Sequence, residues 1–225
     1  MYPDKGAQNV IQPQCSKCPA LIKSRTNISW GVGHEEADIF IIGEAPGAGD
    51  PTADQWNGGN YTGMAYTTRH AGRRIRSLFA AMGFDSSQLY FTNSVKCFPA
   101  AGVFSDTDEM PASPTNRPPT TSERTNCAQH LCSELAHIEP DCIVPTGRHA
   151  TESILDLASA EVDIDRFTEY VFEEISIPKY PPIIPILHPS YQNVWIRRLG
   201  FNETSYRETL KRRLKAVNIK ITTGE

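Results

Sequence analysis

The sequence lacks any run of apolar residues long enough to cross a bilayer, which takes about 20 residues in a helix. Its first residues also lack the basic stretch and apolar stretch of a secretory signal, so we expect a cytoplasmic protein with no membrane partner. Cysteines in such a reducing compartment are metal ligands or core residues more often than disulfides. The 225 residues, 39% of them hydrophobic, predict one domain over 1–225.

An excess of positive charge is also missing, since the formal net charge is -4. This balance excludes a strongly basic coat but not contact with nucleic acid, because contact with phosphates depends on local clustering of charge. Basic residues cluster at 69–76, 197–198 and 211–215. Each cluster also has an ordinary interpretation as the solvated face of a helix.

Four short apolar segments predict buried strands, because each is followed by polar residues or by glycine and proline. They lie at 37–42, 88–93, 142–147 and 183–188. Helical patterns lie between and after them, at roughly 70–82, 122–138, 148–157 and 206–217. This alternation predicts a layered α/β domain with a mostly parallel sheet. The segment 98–119 has no periodicity and predicts a long surface loop.

Polar side chains stand at the ends of three predicted strands. They are Glu44, Asn93 and His188. Because ligands of parallel α/β sheets bind at the carboxyl ends of the strands, we expect these three side chains to share one site.

Four of the six cysteines have the layout of a metal centre. Cys15 and Cys18 form a C-x-x-C pair, and Cys97 and Cys127 follow far downstream. On spacing alone, structural zinc, an iron-sulfur cluster and no metal at all remain open. Cys142 lies in an apolar strand and is predicted to be a core residue, whereas Cys132 is an alternative ligand.

Six motifs occur in an order that resembles the family 4, iron-sulfur uracil-DNA glycosylases. The motifs are Cys15-Ser-Lys-Cys18, Gly43-Glu-Ala-Pro-Gly47, Gly59-Asn-Tyr-Thr-Gly63, Thr92-Asn-Ser-Val-Lys-Cys97, the segment 116–127 and His188-Pro-Ser190. The resemblance runs from Cys15 to about Tyr191. It implies a three-layer α/β/α uracil-DNA glycosylase fold with a central four-stranded, mostly parallel sheet.

The resemblance also implies a cofactor and an activity. A [4Fe-4S] cluster on Cys15, Cys18, Cys97 and Cys127 would act as a structural clamp and tie the segment 1–35 to the domain. The expected enzyme is a monomeric DNA repair glycosylase that flips uracil out of DNA and hydrolyses its N-glycosidic bond, leaving an abasic site. Its partner would be uracil-containing DNA, single- or double-stranded.

The resemblance assigns uracil recognition to one amide, one aromatic ring and a backbone loop. Asn93 would hydrogen-bond O4 and N3-H of uracil, a pattern that cytosine inverts. Tyr61, at a position where the family has phenylalanine, would stack on the flipped base. The backbone of Gly43 and Ala45 would hold a uracil carbonyl or a phosphate.

The two catalytic residues expected from the resemblance are His188 and Glu44. His188 would donate a hydrogen bond to uracil O2 as negative charge builds there, and a neutral imidazole suffices. Glu44 would position or deprotonate water, or stabilise an oxocarbenium-like sugar.

The segment after His188 corresponds to the loop that the family inserts into DNA. Tyr191 or Trp195 would fill the space left by the flipped base, and Arg197 and Arg198 would meet phosphates.

Two departures from the family pattern keep other functions open. The link at 50–58 and the loop at 98–119 are longer than usual. The loop has no histidine and a single arginine, Arg117, which disfavours a related subgroup that traps DNA covalently. The alternatives are a non-catalytic nucleic-acid-binding or polymerase-associated module with the same fold, and a zinc-stabilised hydrolase of nucleotide-like substrates.

Overall fold

A five-stranded sheet forms the centre of the computed structural model, which describes residues 2–190 and 192–220. The strands are β1 (Gln8–Asn9), β2 (Gly31–Gly33), β3 (Ile39–Gly43), β4 (Leu89–Asn93) and β5 (Cys142–Pro145). Their order across the sheet is β1-β2-β4-β3-β5. β3 pairs in parallel with both β4 and β5, whereas β2 pairs antiparallel with β1 and β4. The three longer strands therefore run parallel, as the alternating pattern predicted.

The number of strands differs from the prediction at both edges of the sheet. The predicted fourth strand at 183–188 makes only isolated parallel bridges to β5, from Ile183 to Ile143 and from Ile186 to Thr146. Pro182 and Pro185 interrupt this edge because proline has no N–H to donate to a ladder. At the other edge, β1 and β2 are too short to show a strand periodicity in the sequence.

Helices cover both faces of the sheet, and the four predicted helices correspond to α3, α4, α5 and α7 of the list that follows. They are α1 (Pro19–Ser24), α2 (Gly59–Thr62), α3 (Ala71–Ala81), α4 (Thr121–Ile138), α5 (Arg148–Leu157), α6 (Gln192–Arg198) and α7 (Glu203–Ala216). Short 3-10 helices lie at Lys5–Ala7, Ser86–Gln88 and Phe167–Glu169. No helix among the described residues is long and apolar enough to span a membrane.

The long helix α4 begins where a capping box predicts it. The Thr120 hydroxyl accepts a hydrogen bond from the Glu123 amide at 3.2 Å, and the Glu123 carboxylate accepts one from the Thr120 amide at 2.8 Å. This reciprocal pair satisfies amides that the first turn of a helix leaves free. The cap fixes the start of α4, and with it the position of Cys127 two turns later.

Two hydrophobic clusters on opposite faces of the sheet give the fold three layers. Successive residues of a strand point to opposite faces, so β3 contributes to both clusters. The first cluster joins the sheet to α3 and α7 and includes Ile39, Ile41, Ile75, Phe79 and Leu210. The second joins it to α4 and α5 and includes Phe40, Ile42, Leu131, Ile143 and Ile154. The α/β/α arrangement is confirmed.

The loop at 98–119 is anchored to the domain by a buried ion pair. The Arg117 guanidinium contacts the Glu123 carboxylate at 2.7 Å and donates to the Val103 carbonyl at 3.0 Å. A single bridge between Ala100 and Asn116 closes the loop at its base. The loop therefore starts and ends beside the carboxyl ends of the strands.

Candidate active site

A cavity of about 810 Å³ opens at the carboxyl ends of the three parallel strands. The strand ends deliver their polar residues to its wall, as expected for a parallel sheet. The lining includes Gly43, Glu44, Ala45, Tyr66, Asn93, Asn116, Thr146, His149, His188 and Trp195. The structure thus brings together the three polar residues that the sequence placed at strand ends, along with Gly43 and Ala45.

The floor of the cavity is formed by Gly43, Asn93 and Tyr66 in close contact. A Cβ atom on Gly43 would lie 2.4 Å from Asn93 Oδ1 and 2.7 Å from the Tyr66 hydroxyl oxygen. Any side chain at position 43 would therefore displace both groups. The Tyr66 hydroxyl shares a hydrogen bond of 2.6 Å with the Thr146 hydroxyl, which fixes the ring against the floor.

The aromatic ring that the structure places at this floor is Tyr66 and not the expected Tyr61. Tyr61 lies in α2 and is not one of the described residues that line the cavity. α2 ends at Thr62 and is capped by Gly63, which takes the left-handed conformation at φ 74°. The chain then turns, and Tyr66 at φ 54° reaches the strand ends.

His188 is placed to donate a hydrogen bond from a neutral ring. The Ser190 backbone amide donates to its Nδ1 at 3.3 Å, which assigns the ring proton to Nε2. Burial, with a smaller contribution from His149, lowers the pKa of His188 to about 4. The imidazole is therefore neutral at pH 7. Gly147 makes room for it, since a Cβ there would lie 2.9 Å from the His188 Cβ.

Glu44 presents an incompletely satisfied carboxylate. Its Oε1 atom is buried and has no hydrogen-bond partner among the described residues. Burial raises the pKa of Glu44, while the nearby charges of His149 and Arg124 oppose that shift. A buried acceptor without a protein partner suits an ordered water molecule.

The cavity residues that were missed in the sequence include His149 and Asn116. His149 lies at the start of α5 and its Nδ1 is 3.0 Å from the Glu152 carboxylate. Asn116 donates to the Pro46 carbonyl at 2.9 Å and accepts from the Ala48 amide at 3.0 Å, so it orders the loop that follows Glu44. His149 comes four residues after β5, inside the first turn of α5, and Asn116 lies in the loop at 98–119, so neither residue stands directly at a strand end.

The rim of the cavity carries an exposed tryptophan and a concentration of positive charge. Trp195 in α6 is 36% exposed and lines the cavity, and the Arg198 guanidinium lies 4.9 Å from its ring centroid. Arg197 is exposed on the same helix. Tyr191 lies outside the described residues. A neighbouring groove of about 730 Å³ has a basic wall formed by Arg69, His70, Arg73, Arg74 and Arg207.

The four cysteines of the candidate metal centre pack in one apolar cluster. Its core includes Leu21, Trp30 and Val95 beside Cys97 and Cys127, with Cys15 and Cys18 packed against them. All four are free thiols. Burial raises the pKa of Cys97 and raises that of Cys127 to about 12. Neutral thiols in this setting would need a metal or a positive charge to ionise.

Three of these thiols receive N–H donors. Arg25 donates to Cys97 Sγ at 3.2 Å, the Lys96 amide donates to Cys127 Sγ at 3.3 Å, and the Asn126 amide group donates to Cys18 Sγ at 3.6 Å. Hydrogen bonds to sulfur stabilise thiolates and tune iron-sulfur centres. The donor set therefore fits an anionic thiolate centre.

The described residues contain no group of three or more His, Cys, Asp or Glu side chains placed to hold one metal ion. A single zinc would draw four sulfurs to within about 2.3 Å of one point. In a four-iron cluster each thiolate binds its own iron, so the sulfurs stand further apart. Cys142 is fully buried in β5, as predicted, and Cys132 is exposed on α4.

Comparison with known proteins gives consistent matches. The family model of the uracil DNA glycosylase superfamily matches residues 30–215. A type-4 uracil-DNA glycosylase of Archaeoglobus fulgidus is 33% identical over 177 residues, which are 78% of this chain and 76% of that protein. A type-4 uracil-DNA glycosylase of Sulfurisphaera tokodaii is 29% identical over 189 residues, 80% of this chain and 74% of that protein. A DNA polymerase of Bacillus phage SP01 is 25% identical over 173 residues, which are 75% of this chain but 16% of the polymerase.

Proposed function

The chain belongs to the uracil-DNA glycosylase superfamily, and from that premise we propose that it removes uracil from DNA by hydrolysing the N-glycosidic bond. The product is DNA with an abasic site. The observation that carries this proposal is the meeting of Asn93, Tyr66 and His188 in one cavity at the strand ends. These three groups supply an amide, an aromatic ring and a hydrogen-bond donor, which are what a uracil pocket needs.

The cavity would receive a nucleotide that has been flipped out of the DNA. Flipping costs about a few kcal/mol in lost stacking and pairing, and it exposes a glycosidic bond that the duplex hides. Trp195 stands at the rim and is half-exposed, so its ring is available to occupy the space left by the base. The basic groove beside the cavity, with Arg197 and Arg198, would contact backbone phosphates.

Asn93 and Tyr66 would recognise the base. The Asn93 amide would donate to O4 of uracil and accept from N3-H, whereas cytosine presents the opposite pattern at both positions. The Tyr66 ring would stack on the base, a contact worth about 1 to 3 kcal/mol. The backbone of Gly43 and Ala45 would hold a uracil carbonyl or a phosphate. Because Gly43 has no side chain, the Asn93 amide and the Tyr66 hydroxyl can both lie against its backbone.

His188 would stabilise the departing base. As the glycosidic bond breaks, negative charge builds on uracil O2, and a donor aimed at that atom lowers the barrier. The Nε2 proton of the neutral ring is the group that would donate. A fixed donor in a water-poor site costs no reorganisation at the moment of reaction.

Glu44 would act on the water and on the sugar. Its unpartnered Oε1 would accept a hydrogen bond from a water molecule and orient it towards the sugar carbon. The carboxylate charge would also stabilise the positive charge that develops on the sugar, as carboxylates do in glycoside hydrolysis. Both roles require the ionised form.

Cys15, Cys18, Cys97 and Cys127 would hold a [4Fe-4S] cluster. The fit rests on four free thiols in one apolar cluster, three of them with N–H donors. When bound, the cluster supplies a structural cross-link, because four thiolates leave no iron open to substrate. It would tie the N-terminal segment 1–35 to β4 and α4. The remaining features of the proposal are a single domain over 1–225 that acts as a monomer in the cytoplasm.

An oligonucleotide assay on anaerobically purified protein tests the activity. The substrates are otherwise identical strands that carry uracil, hypoxanthine or a thymine mismatch, each single- and double-stranded. We expect free uracil and an alkali-sensitive abasic site from the uracil strands. A protein with full iron content that releases no uracil overnight would sink the proposal.

A second candidate function is a non-catalytic module that binds nucleic acid alongside a polymerase. The similarity to part of a phage DNA polymerase favours it. This candidate predicts that the protein binds uracil-containing DNA and leaves the base in place. The same assay, read beside a binding measurement, separates the two functions.

A further inference from the structure

A buried ion pair lies behind the cavity floor, between Asn93 and the cysteine cluster. Lys96 is 1% exposed and Glu134 is 0% exposed, and Lys96 Nζ is 2.5 Å from Glu134 Oε2. Burying two charges costs several kcal/mol per ion before their attraction offsets it, so such pairs contribute little net stability. The pair therefore calls for an explanation other than stability.

The Lys96 ammonium is directed at the strand end that carries Asn93. Besides Glu134, its Nζ donates to the Asn93 carbonyl at 2.6 Å and to the Thr92 hydroxyl at 2.6 Å. An ammonium has three donors, and these three acceptors use all of them. The charge of Lys96 thus holds the backbone of Asn93.

Glu134 fixes the ammonium from the opposite side. Its Oε2 accepts a second hydrogen bond from the Thr92 hydroxyl at 2.7 Å, and its Oε1 accepts one from the Gly31 amide at 3.1 Å. Glu134 lies seven residues after Cys127 on α4, which is two turns along the same helix face. The carboxylate therefore connects β4, β2 and α4 at one point.

The backbone of Lys96 extends the connection to the cysteines. Its amide donates to Cys127 Sγ at 3.3 Å, and its carbonyl accepts from the Ser29 amide at 2.6 Å. Within the turn 93–96, the Ser94 amide donates to the Gly43 carbonyl at 2.8 Å and the Val95 amide to the Glu44 carbonyl at 3.0 Å. One short turn thus contacts the loop that carries Glu44 on one side and a cluster thiol on the other.

We propose that Lys96 and Glu134 are positioning residues for uracil recognition, which rests on the proposed function. They fix the backbone at Asn93, so that the side-chain amide meets the edge of the base, and they couple that geometry to the cysteine cluster. A recognition group must be held closely, because a misplacement of about 1 Å costs roughly 100-fold in rate. Asn93 is the last residue of β4, so fewer sheet hydrogen bonds hold its backbone than hold the middle of the strand. The ion pair supplies the additional hydrogen bond that fixes this backbone.

The double variant Lys96→Met/Glu134→Gln tests this role. Methionine and glutamine keep the approximate shapes and leave no unpaired charge, so the protein is expected to fold. We expect inhibition by free uracil to weaken at least tenfold and kcat/KM for uracil release to fall at least tenfold. Iron content and the affinity for abasic-site DNA, which offers no base to Asn93, are expected to stay within twofold of wild type.

A matched control removes a buried polar group from the other end of the same strand. Gln88 precedes β4, and its amide group donates to Asp38 at 2.8 Å and to the Lys220 carbonyl at 2.6 Å. The substitution Gln88→Leu is expected to lower the melting temperature and leave inhibition by free uracil unchanged. A loss of stability alone therefore does not reproduce the effect expected of the double variant.

A second variant keeps the test decisive if the double variant does not fold. Thr92→Val preserves shape and both charges but removes the hydroxyl that bonds Lys96 and Glu134, and it is expected to weaken inhibition by free uracil about threefold. The positioning role would be overturned if a folded double variant showed wild-type inhibition by free uracil and wild-type kcat/KM. If the double variant does not fold, the same wild-type values in Thr92→Val would overturn it. Wild-type protein that releases no uracil would instead contradict the proposed function, and the inference with it.

Discussion

The cavity and the cysteine cluster both contain residues from distant parts of the chain, but they differ in how far their polar atoms are hydrogen-bonded within the protein. In the cavity, Glu44 Oε1 is buried without a partner among the described residues, and burial keeps His188 neutral. In the cluster, three of four thiols already receive N–H donors from the protein. A carboxylate oxygen without a hydrogen-bond partner suits a substrate or water that binds and leaves. Thiols that already accept hydrogen bonds from the protein suit a permanently bound cofactor.

Removal of one cysteine is expected to have the largest effect, because it should damage both regions. Cys97 is buried among the other thiols and follows Lys96, so Cys97→Ala should remove the cluster and loosen the turn that carries Asn93. We expect loss of iron and visible absorbance, a lower melting temperature and no detectable uracil release. Cys132→Ala is the matched control and should change none of these, because Cys132 is exposed on α4. Full iron content in Cys97→Ala would show that Cys97 is not a ligand of the cluster.

Truncation of His188 should impair catalysis in the cavity and leave the cysteine cluster intact. Loss of one preorganised donor at a developing negative charge costs about 100- to 1,000-fold in kcat. We therefore expect His188→Ala to lose uracil release by about that factor, with iron content unchanged, in single-turnover kinetics. His137→Ala, on the exposed end of α4, is the control. A loss smaller than tenfold would mean that His188 does not stabilise the leaving group.

The two tyrosines provide a smaller and sharper test of the cavity floor. Loss of base stacking costs about 1 to 3 kcal/mol, or roughly 5- to 150-fold. Tyr66→Ala is expected to lower kcat/KM by a factor in that range, and Tyr66→Phe, which keeps the ring and loses the bond to Thr146, should stay within about fivefold of wild type. Tyr61→Ala should be close to wild type. A greater loss in Tyr61→Ala than in Tyr66→Ala would return the stacking role to Tyr61.

The pH dependence of uracil release should show the smallest effect and should come from Glu44. His188 has a pKa of about 4, so it is already neutral at pH 7 and adds no change between pH 8 and 6. Burial raises the pKa of Glu44 above its ordinary value, so its carboxylate takes up a proton as the pH falls through that raised pKa. We expect the rate to fall severalfold on the acid side, and Glu44→Gln to remove that dependence. A rate that rises between pH 7 and 5.5 would indicate a protonated histidine instead.

Much of the cavity could be predicted because it depends on short-range patterns. An apolar run that ends in glycine or a polar residue marks a buried strand and its carboxyl end, and parallel strands bring those ends together. This placed Glu44, Asn93 and His188 correctly at one site. The C-x-x-C pair similarly marked the cysteine cluster.

The remaining features depend on contacts between distant segments. Tyr61 and Tyr66 have similar neighbours in sequence, and only the turn at Gly63 decides which ring reaches the floor. The apolar content of the segment 183–188 predicts a strand, but two prolines limit its pairing with β5 to isolated bridges. The partnership of Lys96 and Glu134 spans 38 residues and leaves no periodic signal, since each is an ordinary charged residue in sequence.

Uracil release by the wild-type protein beside its Asn93→Ala variant tests the central claim most directly. Both proteins would be purified anaerobically with equal iron content, and free uracil from a uracil-containing oligonucleotide would be quantified by mass spectrometry. We expect free uracil and an abasic site from the wild type, and at least a 100-fold lower rate from the variant. Equal rates from the two proteins would contradict the assignment of uracil recognition to the strand-end cavity.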